Sequence, residues 1–371
     1  MEVRNNYNEC LTNLACSIRK YFGLEYKHNT LDYIDKILEE KQPKNVVVML
    51  YDGMGSRILD RVLPKDSFFN ANRYKEITTV FPATTTAATT SIRTGLNPVE
   101  HGWLGWNVYL KPFNKIITLF RNTEKETEEI VQDYIDHGKE YLVPNSIVDD
   151  INAAGTYKAY EHFPFGPNPY SSLDDMLSRV EQECKEDGKK YIYAYDPEPD
   201  HTMHENGADS AIVKELIEER NKKTQELVDK LEDTVVIIVA DHGHLLVDRV
   251  QLTDYPEITS LLERNTCLEP RATAFKVIPG KEKEFVENFN KHFGEDFKLY
   301  PKQEVIDSKL FGDGEENPIY RDALGDYLAV AYGTRALLMP GDEDLISMHA
   351  GYADDEIYVP LIVVEKWKIK M

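Results

Sequence analysis

Two apolar runs that do not alternate constrain this chain more than any other feature. Val46-Val47-Val48-Met49-Leu50 leads into Asp52-Gly53-Met54-Gly55, and Val235 to Ala240 leads into Asp241-His242-Gly243-His244. A strand that is apolar at successive positions must be covered on both faces, as strands are in a parallel sheet held between helix layers. Each run also ends on a carboxylate. In such sheets ligands bind beyond the carboxyl ends of the strands.

The rest of the chain keeps the same rhythm. Helical spacing recurs through Leu11, Leu14, Ala15 and Ile18, and again through Leu31, Ile34 and Leu38. Helices are expected at Ser56 to Val62, Thr86 to Arg93, Asn145 to Ala153, Ser172 to Lys185 and Ala211 to Leu231. Strands are expected at Glu76 to Val80, Tyr157 to Tyr160, Tyr191 to Tyr195 and Tyr358 to Val364. Strands alternating with helices imply an α/β fold with a mostly parallel central sheet and helices on both faces. The rhythm breaks at about 250–345, where strand-like stretches (Thr273 to Ile278, Phe297 to Tyr300, Tyr327 to Met339) flank helix-like ones. This gives a core of residues 1–250 and 346–371, and an inserted α+β lid of residues 251–345. Asn107 to Phe120 reads as a hairpin, and 121–143 as a polar surface excursion.

Charge narrows the function classes. The chain carries 43 basic and 65 acidic side chains, a net charge of −22. That disfavours nonspecific binding to nucleic acid or to an anionic membrane. It also repels an anionic substrate unless bound cations reverse the local field. No apolar run approaches the roughly 18 residues of a spanning helix, and Met1 to Asn6 lacks a signal-peptide pattern. Cys10, Cys16, Cys184 and Cys267 are scattered, without a C-x-x-C pair. They read as reduced thiols of a cytoplasmic protein.

The chemistry-bearing residues are spread over four segments. Asp52 follows the first buried run. Asp200 and His204 stand four apart, so one helical turn can aim both at one ion. Asp241-His242 is a contiguous pair at a strand end, and His349 lies in Met348-His349-Ala350-Gly351-Tyr352 just before the last strand. Six oxygen and nitrogen donors without thiolates suffice for two divalent ions. They suit Zn²⁺, Mn²⁺ or Fe, and geometry chooses among them. Between the first two segments runs Phe81-Pro82-Ala83-Thr84-Thr85-Thr86, a hydroxyl-rich turn that opens a helix stopped by Thr94-Gly95.

This set, in this order, resembles the alkaline phosphatase superfamily, and within it the type I phosphodiesterase/nucleotide pyrophosphatase family. The matching pieces are Asp52-Gly53-Met54-Gly55, Phe81 to Gly95 with Asn97 to Gly102, Glu198 to His204, Asp241-His242-Gly243 and His349 to Tyr352. The resemblance implies that Asp200, His204 and His349 hold one ion and Asp52, Asp241 and His242 the other. In the superfamily the nucleophile stands nine residues before the Thr of the closing Thr-Gly, which implies Thr85, with Thr84 second; Thr85 would also ligate an ion. Asn107 is the nearest match to an asparagine that helps bind phosphate. The implied activity is hydrolysis of phosphodiester or pyrophosphate bonds of a small-molecule substrate through a phospho-threonine. The alternatives are a phosphomonoesterase, a phosphonate hydrolase or phosphomutase, and a binding module that has lost catalysis. The C/S-x-P-x-R motif of sulfatases is missing near Thr85.

Ordinary readings stand beside these. A carboxylate after a strand is commonly a turn residue, and the threonine cluster can simply cap a helix. His244 reads as a neighbour of the ligands or a surface residue, and His101 as structural. His162 and His201 read as solvated, Trp103 and Trp106 as packing residues, and Glu124–Glu129 as a solvated face.

Overall fold

The computed structural model describes residues 3–143 and 145–367; Met1 and Glu2 of the N-terminal stretch lie outside the described residues. The first apolar run forms the strand Asn45–Tyr51, all seven residues buried. It sits inside a six-stranded sheet ordered Arg73–Thr78, Tyr358–Lys366, Thr234–Val239, Asn45–Tyr51, Lys190–Asp196, Lys158–His162. Asn45–Tyr51 pairs in parallel with Lys190–Asp196 and Thr234–Val239, and Lys158–His162 extends the parallel set. Only Tyr358–Lys366 runs against its two neighbours. The two strands flanking the central one are also buried throughout, so both faces are covered, as non-alternating sequences require.

Two helix groups provide that cover. Leu11–Tyr21 packs on Asp32–Lys41 and on Thr85–Thr94, which packs in turn on Ile147–Ala154. Ala211–Val228 packs on Ser56–Val62, Phe68–Ala71 and Leu173–Lys185. The strand register then decides where the chemistry sits. Tyr51 lies opposite Asp196, and Leu50 opposite Val239. The chain therefore leaves all three strands at one edge, carrying Asp52, Asp200 and Asp241 with it.

A second, antiparallel sheet holds seven strands: Phe297–Pro301, Tyr327–Ala331, Ala272–Phe275, Cys267–Glu269, Asn107–Leu110, Lys115–Thr118 and Thr123–Glu124. Four come from within 251–345 and three from 107–124, so the hairpin and the inserted segment share one sheet. Residues 121–143 are accordingly more than a surface excursion: Thr123–Glu124 pairs with Lys115–Thr118, and Lys125 is 2% exposed inside a run read as solvated. Tyr327 to Met339 is two strands rather than one. Its chain leaves the sheet at Tyr332 and Gly333, whose N–H groups both donate to the Asp296 carbonyl (2.7 and 3.1 Å). One face of this sheet packs on Phe285, Phe289 and Phe293 of the helix Glu282–Phe293. The other packs on Phe81, Leu104, Phe311 and Tyr352.

A fully buried ion pair joins the two sheets. Arg271 Nε donates to Glu356 Oε1 (2.7 Å) and Nη2 to Oε2 (2.9 Å), with neither side chain exposed. Two of the three remaining guanidinium hydrogens reach the Arg335 and Gly333 carbonyls. Glu356 also accepts from the Gly351 and Ala353 N–H groups, so it orders the loop that follows His349. Every side-chain nitrogen and oxygen of the pair thus has a partner, the condition under which a buried charge is tolerated. Close backbone approach fixes the glycine after His242: a Cβ on Gly243 would lie 1.8 Å from the Asp355 carbonyl oxygen.

Candidate active site and metal centre

The helix Thr85–Thr94 begins at the N-cap Thr84 and ends at Gly95, whose φ is 78°. Threonine is a poor helix former, yet the hydroxyls here are absorbed locally. Thr89, Thr90 and Thr94 each donate to the carbonyl four residues back (2.6–2.7 Å). The two candidate threonines differ. Thr84 is buried and its hydroxyl donates to Glu269 Oε1 at 2.7 Å. Thr85 lines the cleft with its Oγ1 3.3 Å from His242 Nε2.

Strand ends supply the first cluster. Asp241 Oδ1 accepts from the Gly53 and His242 N–H groups, both at 3.0 Å, while its Oδ2 has no hydrogen-bond partner and lies 3.4 Å from His242 Nε2. Asp52 repeats the arrangement. Its Oδ2 accepts from the Tyr195 hydroxyl at 2.5 Å, and its unpartnered Oδ1 lies 3.3 Å from the same imidazole nitrogen. His242 Nδ1 donates to the Gly243 carbonyl at 3.0 Å, which leaves the Nε2 lone pair facing both carboxylates. Burial, with Asp241 and Asp200 nearby, pushes the Asp52 carboxyl well above the carboxylate range, and burial also raises Asp241.

The second cluster gathers around Asp200, at the start of the short helix Asp200–Asn206. His204 Nε2 lies 3.2 Å from Asp200 Oδ2, and its Nδ1 meets the Ser347 carbonyl at 2.8 Å. His349 Nε2 lies 3.7 Å from Asp200 Oδ1, and its Nδ1 meets the Ala83 carbonyl at 3.0 Å. Burial opposes ionisation of Asp200, but His204 and His244 outweigh it and hold the carboxyl well below its usual range. Burial opposes the His204 charge in the same way, and Asp200 outweighs it, raising the imidazole to about 9.

Every metal-ligand candidate from the sequence is thus brought to one place. Ligand atoms of Asp200, His204, His244 and His349 lie within 4.8 Å of one another, as do those of Asp52, Asp200 and His242. His244 is the addition. It is 1% exposed, and its position two residues beyond Asp241-His242 was the signal for it. Three buried carboxylates with unpartnered oxygens, facing imidazole Nε2 atoms, fit divalent cations.

A family model described as type I phosphodiesterase / nucleotide pyrophosphatase matches residues 46–333. The chain belongs to the type I phosphodiesterase/nucleotide pyrophosphatase family. No curated protein matches it in sequence. Among solved structures it is similar to murine ectonucleotide pyrophosphatase/phosphodiesterase 5, in an inactive form in complex with AMP, at 19% identity. That match has a TM-score of 0.63 and covers 85% of this chain and 87% of the other. The human protein 5 matches at 19% identity and a TM-score of 0.64, covering 86% and 87%. These likenesses show an alkaline phosphatase-like fold.

In this family member a cleft of about 370 Å³ opens beside Thr85. One side is the two clusters, the other the second sheet and its connections. Asn107 lies in that wall, 4% exposed; its Oδ1 accepts from Thr118 and its Nδ2 donates to Asp342 at 3.3 Å. Lys125 pairs with Asp342 at 2.8 Å, both nearly enclosed. Trp106 lines the cleft against Phe120 and under Arg121. Glu269, which the sequence did not single out, accepts from both Thr84 Oγ1 and the Trp106 N–H at 2.7 Å. Burial raises its carboxyl to about 7. His101, read as structural, is buried against Ser91 Oγ at 3.0 Å. His162 is not solvated: it is 4% exposed and meets Glu183 at 2.8 Å.

Proposed function

We propose that this chain hydrolyses phosphodiester or pyrophosphate bonds of a small-molecule substrate through a phospho-threonine on Thr85. The observation that carries this reading is the convergence of unpartnered buried atoms, Asp52 Oδ1, Asp241 Oδ2, Asp200 Oδ1 and His244 Nε2, beside a threonine at a helix start. Asp52, Asp241, His242 and Thr85 would hold one divalent ion, and Asp200, His204 and His349 the other. The donor set suits Zn²⁺, with Mn²⁺ or Fe as alternatives. Bound ions of this kind supply Lewis acidity, lowering the pKa of a coordinated hydroxyl or water and offsetting phosphoryl charge.

The chain's own groups then divide the work. Thr85 Oγ1 attacks phosphorus in line, forming the new P–O bond as the bond to the leaving group breaks. The free N–H groups of the helix's first turn point at the phosphoryl oxygens. Asn107 Nδ2, in the facing wall, adds a donor. Water then cleaves the phospho-threonine and restores Thr85. The inactive, AMP-bound form of the murine relative supports a nucleotide-sized phosphate ester in this kind of site. The reading includes a cytoplasmic location, supported by four buried, unpaired cysteines.

Turnover of bis-p-nitrophenyl phosphate against p-nitrophenyl phosphate, with Zn²⁺ or Mn²⁺, tests the reading. The expected result is diester preference in the wild type and its loss in Thr85→Ala. Monoester preference would replace the reading by a phosphatase, and full activity in Thr85→Ala would remove Thr85 as nucleophile.

A further inference from the structure

His244 is not among the residues that the resemblance assigns to either ion, yet its surroundings give it little else to do. It is fully enclosed, in the stretch Asp241-His242-Gly243-His244. Its Nδ1 lies 2.6 Å from Ser347 Oγ. Ser347 Oγ in turn donates to the Leu245 carbonyl at 2.7 Å. A hydroxyl has one hydrogen, so Ser347 cannot also donate to the imidazole, and Nδ1–H must donate to Ser347. The neutral ring then carries its lone pair on Nε2. That lone pair faces Asp200 Oδ1 at 3.1 Å, and neither atom has a hydrogen-bond partner.

The same pattern governs the rings around it. His204 and His349 each commit Nδ1 to a backbone carbonyl and turn Nε2 toward Asp200. The His244 ring centroid lies 4.6 Å from that of His204 and 5.3 Å from that of His349. The His204 and His244 nitrogens lie 3.2 and 3.1 Å from Asp200 oxygens, the spacing of neighbouring donors on one ion, and the His349 nitrogen lies slightly farther out at 3.7 Å. Bonds of about 2.0–2.1 Å at 90–109° put such donors about 3.0–3.4 Å apart.

We propose that His244 is a fourth protein ligand of the ion held by Asp200, His204 and His349, making that site three imidazoles and one carboxylate, with Ser347 fixing the His244 ring. The inference rests on the two-ion reading above. It makes the two sites unequal. Each site then has four protein donors, but they differ in kind. The Asp200 site has three imidazoles and a carboxylate and holds its ion tightly, whereas one of the four at the Asp52 site is the Thr85 hydroxyl, a weak donor that reacts in the proposed chemistry, so that site holds the more exchangeable ion. Ser347 acts through His244 and is a positioning residue.

The test is Zn²⁺ content of the full chain after dialysis against a graded series of chelator concentrations, with circular dichroism as the check on folding. Wild type is expected to hold two Zn²⁺ and lose them in two steps. In His244→Ala the tighter step should weaken by at least about 100-fold while the looser step stays where it was, and Ser347→Ala should weaken the tighter step by about 10-fold. The d–d absorption of Co²⁺ in the tighter site should change in His244→Ala, as a lost nitrogen donor requires. Identical release curves and Co²⁺ spectra in wild type and His244→Ala would overturn the proposal and leave the two-ion reading standing. A wild type that binds no Zn²⁺, Mn²⁺ or Co²⁺ would overturn the two-ion reading itself. If His244→Ala does not fold, Ser347→Ala decides: weakening of the tighter step supports the assignment, and no change overturns it.

Discussion

The floor of the cleft and its wall are built on opposite principles. The floor rests on parallel strands that are buried at every position, and its carboxylates leave the sheet at one edge. Their places follow from strand register, which the hydrophobic pattern enforces. The wall rests on an antiparallel sheet assembled from residues 107–124 and 267–331. Its polar groups, Asn107, Lys125, Glu269 and Asp342, are committed to one another or to the floor's neighbours. A rigid floor can carry chemistry, whereas a wall of paired polar groups can shape what enters. Substitutions in the floor should therefore change turnover or metal content, and those in the wall should change substrate affinity or pH behaviour.

The sharpest way to break this contrast is at the threonines. Thr85→Ala should lower diester turnover by about 10⁴-fold and loosen the ion of the Asp52 site while that of the Asp200 site stays bound. Thr84→Ala should cost about 10-fold, because its hydroxyl joins the helix start to Glu269 in the wall. A larger loss in Thr84→Ala would move the chemistry out of the floor. The next largest effect concerns the junction between the sheets. Arg271→Ala strands a buried Glu356 carboxylate and should destabilise the fold by about 3–5 kcal/mol in denaturant unfolding. A shift below about 1 kcal/mol would mean that floor and wall are held together elsewhere.

Metal removal comes third. If the clusters bind as proposed, excess chelator should lower the melting temperature by several degrees, since ligand at 1,000 times its Kd adds about 4 kcal/mol. Calorimetry that finds the same melting temperature with and without chelator would contradict the metal-built floor. Asn107→Ala tests the wall directly: KM should rise about 10-fold with kcat within about 3-fold, the mark of lost binding common to ground and transition states. A fall in kcat at constant KM would make Asn107 part of the floor's chemistry.

Glu269 gives the smallest and most specific effect. Burial raises its carboxyl from 4.5 to about 7, so the folded state favours the protonated form. Its contribution to stability is fully present below about pH 4.5 and is lost as pH rises through about 7. Glu269→Gln keeps an acceptor for Thr84 and Trp106 but cannot ionise. Its stability should fall less than that of the wild type between pH 5 and 8 in parallel unfolding curves, and superimposable pH profiles would refute the assignment.

Legibility in the sequence follows the same division. Asp52 and Asp241 were readable because each ends an apolar run, and Asp200 with His204 because a spacing of four is one helical turn. The helix Ser56–Val62 emerges at the boundaries expected. The wall was harder. Lys125 sits in an acidic, polar run that gives no hint of burial, and its partner Asp342 is more than 200 residues away. His162 likewise finds Glu183 through the pairing of Lys158–His162 with Lys190–Asp196, not through any local signal. His244 was visible as a residue, but its role depends on Ser347, which only the fold brings near.

By itself, then, the sequence determined the parallel α/β core, the edge from which the carboxylates emerge and the identity of most ligand candidates. These depend on period and spacing, which are local properties of the chain. Tertiary structure alone decided which threonine faces the clusters, which imidazole nitrogen carries a lone pair, and that two distant segments form one wall. Those outcomes depend on hydrogen-bond partners far apart in sequence. A hydroxyl or an imidazole has no fixed role until the fold settles what occupies its other hydrogen-bonding position.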